Sequence, residues 1–219
     1  MMRKSMMVVL LGMMCVGSQA QENIEGGKLR LGSTVGMNVS RATGQDNKLG
    51  YQLGVRGEWD FRSPDKGLFL DFGVLLSEKG YKSKEFYYPA AYSDPSLAGT
   101  AQKWTLHPTY LEVPLHVGYR FSVGRNVNLF GSFGPYFGVG LFGKSKVNTT
   151  LNGVETTMTV AQNVFHHLHR FDAGLGLRAG AEFAHCYQVA IGYDWGLTHL
   201  SSASKDKNRN FSLSFGYMF

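Results

Sequence analysis

Beyond its first twenty residues, the 219-residue chain lacks any apolar run near the ~18 residues that a membrane-crossing helix needs. A mature protein embedded in lipid would therefore cross as a closed barrel, because only helices and closed barrels satisfy their own backbone hydrogen bonds there. Cysteine is almost missing as well. Cys15 lies in the leader and Cys186 stands alone after it, so the mature chain has no intrachain disulfide. A lone thiol in a turn is a weak signal for redox or partner-linking chemistry, and a small turn side chain accounts for it. Charge is scarce at 17% of residues. The net charge of +6, or +4 once Arg3 and Lys4 are set aside, is spread along the chain, which argues against nucleic-acid binding.

The leader has its own signature. Arg3 and Lys4 form a basic start, Met6 to Val16 is a short apolar run, and Ser18-Gln19-Ala20 ends in the small-x-small pattern that a signal peptidase cuts. Residues 1–20 are thus expected to be a signal peptide cleaved before Gln21. The lipoprotein alternative, with Cys15 acylated, is disfavoured by Met14 at a position that wants a small residue. Residues 21–28 read as a short periplasmic lead and residues 29–219 as one domain.

What the chain does have is period-two alternation, most clearly over 171–197. Phe171, Ala173, Leu175, Leu177, Ala179, Ala181 and Phe183 alternate with Asp172, Arg178, Glu182 and glycines. Tyr187, Val189, Ile191, Tyr193, Trp195 and Leu197 alternate with Gln188, Ala190, Gly192, Asp194 and Gly196. Successive side chains of a β-strand point to opposite faces, so these are two strands with a greasy and a polar face. The apolar set stays odd-numbered across the connection, which requires an odd number of turn residues, and Ala184, His185 and Cys186 fit. Charges and glycines on the second face mark a sheet that is greasy outside and polar inside, the arrangement of a membrane barrel.

Six further strands follow the same rule. The first begins at Leu29 and the second carries Tyr51 to Phe61. After a tight turn at Arg62-Ser63-Pro64-Asp65-Lys66, the third carries Leu68 to Leu76. The fourth, 110–121, contains Pro114, which donates no ladder bond and predicts a bulge or an unpaired partner. The fifth runs from Val127 to Leu141. Asn152-Gly153 then predicts a projecting hairpin with Leu151 opposite Val154. That turn shifts the outward set to even numbers, so the register must break again within 162–170. The eighth strand is 209–219. Short and long connections alternate, which predicts an all-β fold: an eight-stranded antiparallel up-and-down transmembrane β-barrel with long extracellular loops and periplasmic termini. Trp59, Phe61, Trp104, Tyr110, Tyr119, Phe121 and Trp195 are expected in interfacial girdles. A soluble lipocalin-like barrel is the rival fold, but it would put its apolar face inside and leave the loop alternation unexplained.

The segments YLEVPLHVGYRF, GSFGPYFGVGLFG, FDAGLGLRAGAEF, IGYDWGLTHL and NFSLSFGYMF, in that order, resemble the porin-family, PorT-like outer-membrane β-barrel proteins over 29–219. The resemblance implies an eight-stranded barrel in the bacterial outer membrane and, through the PorT branch, a link to protein secretion. It offers no catalytic residues, and Phe219 resembles the C-terminal signal that barrel-insertion machinery reads.

An eight-stranded barrel is only wide enough inside for its own side chains. Arg30, Arg56, Arg120 and Arg178 are expected to pair there with Glu58, Asp60, Asp71, Glu112, Asp172, Glu182 and Asp194 as a plug. The competing reading is a narrow ion path, which an excess of acids over arginines would make cation-selective. The loop histidines His166, His167 and His169, with His199, Ser201 and Ser202, would suit metal binding or lipid hydrolysis if geometry gathered them; the plain reading is polar loop residues. No catalytic, cofactor-binding or metal residue is assigned, and no cofactor is called for. Outer-membrane lipid and the insertion machinery are the expected partners. The Tyr-rich loop 79–108 and loop 144–170 would contact a surface or secretion-system protein.

Overall fold

The computed structural model describes residues 23–24, 27–62, 66–90, 92, 98–151, 153–201 and 205–219. The leader with its cleavage site, Ser63, Pro64, Asp65, Asn152 and Ser202 lie outside the described residues.

All strands join one antiparallel sheet. Eight of them make a closed ring: β1 (Gly27–Ala42), β2 (Lys48–Asp60), β3 (Gly67–Glu78), β4 (Ala101–Gly124), β5 (Val127–Leu151), β6 (Phe171–Phe183), β7 (Tyr187–Gly196) and β8 (Asn208–Met218). Each pairs with its sequence neighbour, and β8 pairs back to β1 from Asn208 opposite Ala42 to Met218 opposite Gly32. Ring closure leaves none of the eight with a bare edge along its main span. One end of the ring carries the short connections at 61–66, 125–126 and 184–186; the other carries the long ones.

Alternation explains the two faces. Within the ring, even-numbered residues of β1, β2, β4 and β6 to β8, and of β5 as far as Gly140, point inward, as do the odd-numbered residues of β3. Most are polar or glycine, with Phe69, Leu75, Phe130, Ala190 and Met218 as apolar members. The outward set is apolar and exposed: Val35, Val74, Val117, Phe133, Leu177, Ile191 and Leu213. Contiguous apolar surface on this scale is untenable in water, where patches beyond a few hundred Å2 mark contact with something apolar. The core of the molecule is instead the polar lumen, with Arg120, Glu58, Asp71 and Glu182 at 1% exposure or less.

The three-residue turn holds as the parity argument requires. Phe183 pairs with Tyr187, and Ala184 and His185 take the left-handed region at φ 50 and 58. Cys186 donates its N–H to the Phe183 carbonyl.

At other points the structure departs from the sequence expectations. Pro114 makes no bulge. Glu112 still pairs with Leu75 and Leu115 with Phe72 in one register, while no pairing joins Val113 or Pro114 to Val74 or Gly73. A proline drops a ladder bond without inserting a residue, so the register survives and only the unpaired-partner half of the expectation holds. The bulges in this hairpin sit elsewhere, between Thr109 and Tyr110 and between Ser122 and Gly124. At the first, Thr109 faces Phe142 and Tyr110 faces Gly140, so Leu141 and Phe142 are both exposed and the inward set of β5 changes from even to odd. The register break expected within 162–170 therefore begins in β5. A second shift lies where Ser145 faces Ala161 but Lys146 faces Thr159, and a helical turn, Val164–His166, follows.

Much of what reads as loop is strand. β3 ends at Glu78 opposite Thr109, so residues 101–108 of β4 and 143–151 of β5 rise past it as a paired ribbon. The ribbon is widened by Tyr81–Lys82, Phe86–Tyr87 and Val154–Ala161, the last with Leu151 opposite Val154 as the turn chemistry predicts. At the short-turn end, Asn23–Ile24 folds back against β1, which itself starts two residues before the expected Leu29.

Candidate functional site: a filled lumen under a capped rim

The lumen fills in layers because each strand delivers one inward side chain every second residue. Nearest the short-turn end, Glu58 is the shared acceptor of Arg30, Arg120 and Gln188, the last at 3.0 Å. Arg30 also reaches Glu182 at 3.0 Å and Asp60 at 3.2 Å, and Arg120 reaches Asp60 at 2.7 Å. Gln188 donates to Glu182 and accepts from Arg178 at 2.8 Å. These contacts tie β1, β2, β4, β6 and β7 together across the axis. Phe69 and Phe130 meet edge to face at 6.4 Å and underlie the guanidinium groups of Arg120 and Arg178. In the middle, Asp71 accepts from Arg56 through both oxygens at 2.9 Å, and Arg178 and Ser132 approach it at 3.4 and 3.3 Å. Charges this deep require partners, because an isolated one would cost several kcal/mol.

Toward the long-loop end, Lys79 occupies the lumen with no exposure, paired with Glu112 and 3.4 Å from Asp194, and it lies 4.1 Å from the centre of the Tyr136 ring. Asp172 accepts from Tyr136, Thr198 and Asn208. Lys79 begins the stretch 79–108 that the sequence assigns to a loop, and acids outnumber arginines among the residues expected inside. With Lys79 inside, and Lys48 buried beside Glu78, that excess shrinks and the argument for cation selectivity weakens. Beside His116 a cavity of about 20 Å3 has room for about one water and none for a hydrated ion.

Above this layer sits an apolar cap. Tyr110, Ala42, Val164, Phe165, Leu168 and Leu200 form a buried cluster, with Tyr81 and Leu106 against it. The Tyr110 and Phe165 rings meet edge to face at 5.6 Å. Phe165 fits because Gly140 has no side chain: a Cβ there would lie 2.2 Å from the ring. The cap is pinned by Asn163, whose side chain accepts from the Phe165 N–H, and by Arg170, which donates to the Gly140 carbonyl at 2.8 Å. Tyr110 therefore belongs to the interior and not to a girdle, since it is an even-numbered residue of β4 beside outward Leu111. Trp104 stands on the ribbon. The outward rim at the short-turn end does carry Phe61, Tyr119 and Phe121, joined by Phe183, Tyr187 and Tyr217.

The cap explains the loop histidines. His166, His167 and His169 are exposed because Val164, Phe165 and Leu168 of the same segment turn inward. His169 meets the His199 carbonyl at 3.1 Å. Among the described residues, no group of three or more His, Cys, Asp or Glu is placed to hold a metal. Ser201 is half-buried. On the same end, Lys103 at 2.8 Å holds the exposed Asp46 carboxyl below its ordinary range, and burial pushes the Tyr81 phenol up.

A ring of eight antiparallel strands, greasy outside and salt-bridged inside, is the architecture of a barrel for lipid. A family model described as "Outer membrane protein beta-barrel domain" matches residues 7–219. The chain belongs to that family. Among solved structures, the barrel is similar to Ail of Yersinia pestis at 17% identity, covering 90% of this chain and 100% of that one with a TM-score of 0.37. It is similar also to Neisserial surface protein A, at 16% identity, 89% and 98% coverage and a TM-score of 0.40. The N-terminal barrel domain of Pseudomonas aeruginosa OprF gives 10% identity, 86% and 97% coverage and a TM-score of 0.37. Likenesses this distant carry no ligand or partner over to the barrel. No curated protein matches the chain.

Proposed function

We propose that this outer-membrane β-barrel is a non-conducting, non-enzymatic envelope protein that spans the bilayer with its eight ring strands and works through its long-loop end. The carrying observation is the double closure of the lumen, by buried ion pairs from Arg30 to Asp194 and by the Tyr110–Phe165 cap. In this reading the short turns and both termini face the periplasm, residues 1–20 are removed on export, residues 21–28 are the lead, and Phe219 addresses the insertion machinery. The working surface is the ribbon and the loop beside it. Phe86, Tyr87 and Tyr92 are exposed, and Tyr88 packs at 4.8 Å from both Phe86 and Tyr92, a stiff aromatic group suited to a protein or glycan partner. A part in an outer-membrane secretion assembly is the specific form this would take if the partner belongs to that machinery.

The test is conductance of the mature chain refolded into a planar bilayer. Absence of a steady current is expected; a steady, cation-selective current would overturn the plugged reading. Deleting the gene separates the two partner classes: secreted proteins held in the periplasm would favour the secretion role, and normal secretion with loss of a surface contact would favour the other.

A further inference from the structure

The outward face changes chemistry abruptly at the long-loop end. On β1 the outward residues Val35, Met37 and Val39 are followed by Arg41, and on β8 Phe211 is preceded by Arg209. Arg41 and Arg209 stand directly opposite each other in the ladder, one rung beyond the Val39–Phe211 pair, and Trp195 of β7 faces Arg209 from the other side. On β5 the exposed Leu141 and Phe142 are followed by Lys144 and Lys146. Their partners on the same face are His107 and Thr105. The opposite face of this stretch is fixed by Gly143, which lies against Val164 of the cap. The rim at the short-turn end is instead aromatic.

Two guanidinium groups facing each other across adjacent strands repel, and such a pair destabilises a sheet unless an anion stands between them. Among the described residues no carboxylate pairs with Arg41, Arg209, Lys144 or Lys146. Glu78, an acid at this rim, is already engaged by Lys48 and His107. Arg209 uses only Nη1 on the Gly196 and Asn208 carbonyls, which leaves the rest of its donor fork. The two cation groups do not converge. Going round the ring, β2, β3 and β4 separate β1 from β5, and β6 and β7 separate β5 from β8. A single soluble anion cannot touch both, whereas a lipid leaflet surrounding the barrel at one level can.

We propose that the long-loop rim binds the charge-uncompensated phosphate groups of anionic lipid in the adjoining leaflet, one held between Arg41 and Arg209 and another at Lys144 and Lys146. The proposal rests on the membrane-spanning reading and names the lipid chemistry that reading requires. Guanidinium groups suit a phosphate because their fork donates two parallel hydrogen bonds to it.

The chain is refolded into phosphatidylcholine vesicles containing a trace of spin-labelled phosphatidic acid or spin-labelled phosphatidylcholine, and the immobilised fraction of each is measured at low salt. At about 1 kcal/mol per cation near a charged surface and two cations at each site, a preference for phosphatidic acid of roughly thirtyfold at those sites is expected. It should vanish in the Arg41→Gln, Arg209→Gln, Lys144→Gln, Lys146→Gln variant while both proteins keep their heat-dependent shift on SDS gels. Equal immobilisation of the two lipids by a heat-shifting wild type would overturn the proposal and leave the barrel reading standing. Loss of the preference in excess inorganic phosphate, but not in chloride of equal ionic strength, would assign the cations to free phosphate and overturn it too. A chain that shows no heat shift and no insertion overturns the membrane reading and the proposal with it.

Discussion

Replacing Glu58 with Gln tests whether the lumen is held by its charges or merely filled by them. The carboxylate is fully buried and takes donors from Arg30, Arg120 and Gln188. Gln keeps the volume and one acceptor but removes the charge. Breaking a buried pair costs about 3–5 kcal/mol when the partner is stranded. Here Arg30 keeps Glu182 and Asp60, and Arg120 keeps Asp60 at 2.7 Å, so neither is stranded. The loss should fall at the low end, about 3 kcal/mol. With urea slopes of about 1–3 kcal/mol per molar, the unfolding midpoint of the refolded barrel should drop by roughly 1–3 M. Glu155→Gln, an exposed residue of the ribbon, is the control and should leave the midpoint in place. If Glu58→Gln unfolds at the wild-type midpoint with an unchanged slope, the ion pairs are filler and the plug argument fails.

The cap and the tight turn yield two further expectations. Gly140→Val puts side-chain atoms where the Phe165 ring lies, so the segment 162–170 should be expelled and trypsin should cut after Arg170 several times faster while the heat shift persists; an unchanged rate would mean that Phe165 is not seated there. Ala184→Gly relieves a left-handed residue at φ 50 and should raise the unfolding midpoint by about 1 kcal/mol of stability, whereas a lowered midpoint would refute the strain.

How far the sequence carries depends on the face a residue occupies. Alternation locates the centre of every ring strand, and odd-even parity alone places the three-residue turn at Ala184–Cys186, because a slip of one residue would turn a strand's greasy face into the lumen. Lys79 follows that parity although it lies just past the last β3 residue. It comes after Ser77 on the odd-numbered inward face, and its N–H bond to the Pro108 carbonyl extends the ladder by one step into what composition alone reads as a loop. The β5 bulge left a visible trace, the adjacent apolar pair Leu141–Phe142, which breaks the alternation. The cap left one too: Val164, Phe165 and Leu168 are out of place in a polar loop unless something covers them. The histidines drew attention by chemical type, yet they are exposed because their apolar neighbours are not.

Ring closure has a consequence for assembly. The seam pairs Met218 with Gly32 and Asn208 with Ala42, so the first ring strand finds its second neighbour only when the last has emerged. Until then both ends of the growing sheet present bare backbone to their surroundings, an invitation to pair with the wrong chain. Contacts that span nearly the whole sequence also fold slowly. A chain truncated before Asn208 lacks the strand that closes the ring and should aggregate rather than insert as a smaller ring.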